Sequence, residues 1–111
     1  MTQLQNGLEH RWGERILIDI PVQLSADKVA GIHGRISNLS LSGALLRCDA
    51  NLNLHALIEV RIELIQPSLN TARVLAHVSR KRKEDVGIEW CEFAPMVVKD
   101  LLRSPSMRLP L

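Results

Sequence analysis

Apolar and polar positions begin to alternate at Ile16. In "ILIDIPVQL", Ile16, Ile18, Ile20, Val22 and Leu24 share one face, while Asp19, Pro21 and Gln23 share the other. A repeat of two is the pleat of a half-buried strand, because successive side chains point to opposite faces of a sheet. Proline has no N–H for the ladder, so Pro21 predicts an edge or a bulge on the outer side. "SADK" turns the chain, "GIHGRIS" reads as a second strand weakened by Gly31 and Gly34, "NLSLSG" as a turn and "ALLRCD" as a third strand. After a loop around "ANLNLH" the alternation returns in "ALIEVRIEL". There Ala56, Ile58, Val60, Ile62 and Leu64 lie on one side, and Glu59, Arg61 and Glu63 on the other. "QPSLN" has the composition of a turn. In "TARVLAHVSR" the inward positions are Ala72, Val74, Ala76 and Val78, "RKRKED" is a polar hairpin connection, and "VGIEWCEF" is the last strand.

The period then lengthens. Pro95 suits the first turn of a helix, where its missing N–H costs nothing. "MVVKDLLR" sets Val97, Val98, Leu101 and Leu102 on one helical face. Six short strands spaced by turns and then one helix predict an all-β fold, a six-stranded antiparallel β-barrel with a C-terminal α-helix. The expected organisation is a flexible lead-in over 1–8, one barrel domain with its helix over 9–103, and a tail over 104–111.

Composition narrows what such a barrel does. The 111 residues are 46% hydrophobic and 23% charged, the balance of a globular domain. A net charge of +2 is far from the dense basic footprint of a duplex-binding protein. With no Tyr, and only Trp12, Trp90 and Phe93 as aromatics, the chain lacks the rings that single-strand binders use as stacking platforms. DNA and RNA are therefore not expected partners. No apolar run approaches the roughly 18 residues that span a bilayer, and "MTQLQNGLEH" lacks the layout of a signal peptide. A cytoplasmic protein without membrane insertion is expected, its two cysteines, Cys48 and Cys91, reduced and partly buried. His33, His55 and His77 have no metal-ligand spacing and read as structural, so no metal and no cofactor are expected. Nothing in the sequence has the pattern of a nucleophile with its base, paired carboxylates or a phosphate-binding glycine loop, so an enzyme is not expected.

Two short motifs point to a ligand. In "NLSLSG" Asn38 and Ser40 stand two apart and can aim donors and acceptors at one small space, while Gly43 clears room for a close approach by backbone or ligand. The edge of a guanine needs that mixture; local backbone capping is the competing use of the same residues. In "EHRWGERI" Arg11 and Arg15 stand four apart ahead of the first strand. A guanidinium is planar, permanently charged and able to donate in pairs to a phosphate or to the O6/N7 edge of guanine.

Arg-x-x-x-Arg before the first strand, then Asn-x-Ser-x-x-Gly after the second, resembles the layout of PilZ domains. "VGIEW" is similar to the Gly-apolar-Glu-aromatic stretch of that family's last barrel strand, and the likeness runs from about residue 9 to 103. The resemblance implies a barrel that binds cyclic di-GMP, a bacterial second messenger. Arg11 and Arg15 would close over it on a mobile N-terminal loop, Asn38 and Ser40 would bind guanine from the barrel surface, and Gly43 would permit the turn. Further candidate contacts are His10, at a position that affects ligand stoichiometry in the family, Trp12 within the arginine motif, Arg35 just before the second motif, and Trp90. Alternation sets Trp90 with Val86 and Ile88, on the core side. A single-domain member would act on an effector protein, of the motility, pilus or polysaccharide-synthesis machinery, as a monomer or homodimer. The alternative is an interaction adaptor of the same fold that does not bind nucleotide.

Overall fold

A computed structural model describes residues 15–64 and 70–103. Six strands, β1 (Ile16–Ala26), β2 (Val29–Leu39), β3 (Gly43–Cys48), β4 (Leu57–Leu64), β5 (Asn70–Lys81) and β6 (Val86–Trp90), precede one helix, α1 (Met96–Arg103). All neighbouring strands are antiparallel, and they close into a barrel in the order β1-β2-β3-β6-β5-β4. The predicted turn around Pro67 and the tail lie outside the described residues.

The alternation read from the sequence is the inside and outside of this barrel. Ile16, Ile18, Ile20, Val22 and Leu24 are buried, as are Ile58, Val60, Ile62, Val74, Ala76 and Val78, while Ala56 and Ala72 pack partly against them. Each fully buried Ile, Leu or Val contributes about 1.5–3 kcal/mol relative to exposure. A one-residue slip would turn a whole strand's apolar set to water, so the inner face locks the register. Asp27, with φ at 58°, makes the tight β1–β2 turn, and Gly31, with φ at 73°, sits where the pairing skips a residue between Leu24 and Ala26. Pro21 lies opposite Arg35, just outside the Val22–Ala26 stretch that pairs with β4 and one residue past a bulge in β1. The predicted edge or bulge is thus both.

Between β3 and β4 the chain crosses one end of the barrel, with Leu52 buried beneath it. His55 takes a φ of 69° there so that its N–H donates to the Val78 carbonyl. At the other end of the chain, the Pro95 carbonyl accepts the first helical bond, from the Lys99 N–H. Val97, Val98 and Leu101 of α1 are buried in the same apolar cluster as the strands, with Leu102 partly buried beside them.

Candidate functional site

The Asn38–Gly43 motif spans the end of β2, a turn and the start of β3. Asn38 is a strand residue rather than a turn residue, and its direction comes from a bulge: between Ile36 and Asn38, β2 carries one residue more than β3 opposite it. Simple alternation from Ile36 would send Asn38 inward. The extra residue buries Leu39 instead and leaves Asn38 half-buried at the wall. There its Oδ1 accepts a hydrogen bond from Arg15 Nη1 at 3.2 Å, across 23 residues of sequence.

Ser40 and Asn38 part ways. Ser40 is fully buried and serves the turn itself. The Gly43 N–H donates to Ser40 Oγ at 3.2 Å while the Ser40 N–H donates to the Gly43 carbonyl at 2.9 Å. The single hydroxyl hydrogen is left for either the Gly43 carbonyl or Ser42 Oγ, both at 3.2 Å. Gly43 is glycine because of backbone: a Cβ there would stand 2.0 Å from the Ile88 carbonyl oxygen. Any side chain would push β3 off β6. Three successive carbonyls of the turn, those of Ser40, Leu41 and Ser42, accept from Trp90 Nε1, the Ala94 N–H and the Trp90 N–H. The segment that leads into α1 is therefore bonded directly to the motif.

Outside this turn lies a groove of about 250 Å³, walled by Arg15, Ser42, Gly43 and Ala44 on one side of the sequence and by Ser79, Arg80, Gly87, Ile88 and Glu89 on the other. Its chemistry is mixed: guanidinium groups, hydroxyls, a carboxylate and strand backbone. Glu89 Oε1 sits 3.2 Å from His77 Nε2, a neighbour in the β5–β6 register. The histidine read as structural thus braces a groove residue.

The remaining candidates are placed as follows. Arg35 is on the outer wall of β2, its Nε 2.6 Å from Asp19 Oδ1, with both side chains half-exposed. The hydrogen bond from Arg35 holds the Asp19 carboxyl below its ordinary range, and the same bond raises the guanidinium. Trp90 is 5% exposed and donates to the Ser40 carbonyl, which places it in the core, where alternation set it. His10, Arg11 and Trp12 lie outside the described residues. Cys48 is half-buried, donates to the Ala50 carbonyl, and has its thiol pushed up mainly by burial. Cys91 is exposed, against the expectation of partial burial, because β6 ends one residue before it.

Sequence reading missed Ser42, Ser79, Arg80 and Glu89 as groove residues. Glu89 was legible in the sequence as the polar position between Ile88 and Trp90. Arg80 was not, since alternation from Val78 puts it inside; a bulge after Val78 turns it out. Among the described residues, no helix is long and apolar enough to cross a membrane, and no group of three His, Cys, Asp or Glu side chains is placed to hold a metal ion.

Comparison with known proteins agrees with this architecture. No curated protein matches the chain. Among solved structures, the PilZ domain of CeSA from a cellulose-synthesizing bacterium is similar to it, with a TM-score of 0.63 at 19% sequence identity, over 81% of this chain and 99% of that one. The family model for the PilZ domain matches residues 9–104, a stretch that holds the arginine pair, the Asn38–Gly43 motif, all six strands and the helix. The chain belongs to the PilZ domain family.

Proposed function

We propose that this domain is a receptor for cyclic di-GMP that binds the ligand in the outer groove and passes the event to a partner protein without catalysis. The observation that carries this reading is the Arg15–Asn38 hydrogen bond at 3.2 Å, which joins the two motifs at one place on the barrel wall. The ligand brings two anionic phosphodiesters and two purines. Arg15, and Arg11 from the same segment, supply charge and paired donors for phosphate and for the guanine O6/N7 edge. Asn38 supplies an amide that both donates and accepts, and Ser42 presents a hydroxyl to the groove. Ser40 and Gly43 act one step back, by holding the turn that carries these groups.

Relay follows from the bonding of the turn. Ligand pressure on the Asn38–Gly43 segment reaches the chain entering α1 through the three carbonyls held by Trp90 and Ala94. Closure of the N-terminal segment and this path to α1 together form the output surface for the effector. The source of the structural neighbour, a cellulose-synthesizing bacterium, makes polysaccharide-synthesis machinery the first class of effector to test.

Calorimetry with purified protein is the direct test. Cyclic di-GMP binds at micromolar Kd or tighter, about −8 kcal/mol or better. Absence of heat at high ligand concentration would overturn the receptor reading and leave the non-binding adaptor in its place.

A further inference from the structure

The groove has a gap in its inventory. A purine needs a flat surface to lie on, and among the described residues that wall the groove none is aromatic, Trp90 being turned into the core. Arg80 lies along Gly87, its partner in the β5–β6 register. A Cβ on Gly87 would come within 2.9 Å of Arg80 Cγ and 2.8 Å of its Nε, so the arginine side chain runs down flat against the glycine backbone. The bulge after Val78 is what turns Arg80 to this outer face. Among the described residues no carboxylate pairs with it, whereas Arg35, Arg47 and Arg82 are each in an ion pair and Arg15 is engaged with Asn38.

We propose that Arg80, seated on Gly87, is the stacking platform of the groove, its guanidinium plane covering one purine of the ligand. A guanidinium stacks on aromatic faces in the way a ring does and adds a cation–π attraction. Bases stack on Arg planes for the same reason. Gly87 is part of the device: with no side chain of its own, it lets the arginine lie low enough to form the floor rather than a plug. This inference rests on the receptor reading above and adds the residue that recognises the base by its face.

Calorimetry with cyclic di-GMP on wild type, Arg80→Ala, Arg80→Lys and Gly87→Ala tests it. Stacking on one base is worth at least about fivefold in affinity, so Arg80→Ala binds about tenfold more weakly than wild type. Arg80→Lys keeps the charge, loses the plane and binds as weakly as the alanine variant. Gly87→Ala lifts the flexible arginine off its seat and also binds more weakly, with its thermal midpoint close to wild type. Wild-type affinity in Arg80→Ala or in Arg80→Lys would overturn the platform while leaving the receptor reading intact. No binding by wild type would overturn both.

Discussion

At the scale of single residues, the proposed function divides the motif into groups that would meet the ligand and groups that hold the wall. Arg15 is exposed and its bond to Asn38 is at the surface, so removing it costs the fold little. Arg15→Ala weakens cyclic di-GMP binding by about 1.5–3 kcal/mol, the worth of charge-assisted bonds, and leaves the unfolding midpoint in place; Arg11→Ala behaves the same way. Ser40→Ala does the reverse. It strips the buried Gly43 N–H of its partner and lowers stability by about 1–2 kcal/mol, with binding affected only through the turn. Denaturant melts and titrations of these variants separate the two groups, and a Ser40 variant with full stability would remove the serine from the wall. The types of Arg15, Asn38 and Gly43 were legible as chemistry in the sequence. The burial of Ser40 was not, because a hydroxyl suits a ligand and a tight turn equally well.

At the scale of elements, irregular steps in three strands interrupt the pleat. One extra residue lies in β1 between Leu17 and Ile20, one in β2 just before Asn38, and one in β5 just before Arg80. Bulges re-aim side chains: alternation carried uncorrected through the β2 and β5 steps puts Asn38 and Arg80 on the wrong face, whereas in β1 Ile16, Ile18 and Ile20 stay buried across the step. Regular stretches such as Ile58 to Ile62 were legible for that reason, and the groove walls were not. The joint between the motif turn and the entry to α1 is likewise a matter of elements meeting. Trp90→Phe keeps the ring in the core but removes the donor to the Ser40 carbonyl, and stability falls by about 1–2 kcal/mol. Equal melting of the two proteins would mean that the turn does not depend on this tie.

At the scale of the whole molecule, ligand and fold are linked by mass action. A ligand that binds only the folded barrel at 100 times its Kd adds about 2.7 kcal/mol to stability. Cyclic di-GMP therefore raises the thermal midpoint of wild type by several degrees and that of Arg15→Ala by less at the same concentration. No shift in wild type would contradict binding to the folded state. What the linear chain determined by itself was the number and kind of elements, the inward face of the regular stretches of β1, β4, β5 and β6, the helix with its buried side, and a pair of motifs whose residue types suit an anionic purine ligand. Those follow from side-chain periodicity and residue type, which are local. Only the closed barrel decided that β3 lies against β6, that Arg15 meets Asn38, that Ser40 turns inward with its carbonyl held by Trp90, and that Arg80 comes to rest on Gly87. Each of these depends on strand order and on where an extra residue breaks the pleat, and those are settled by packing between segments far apart in the chain.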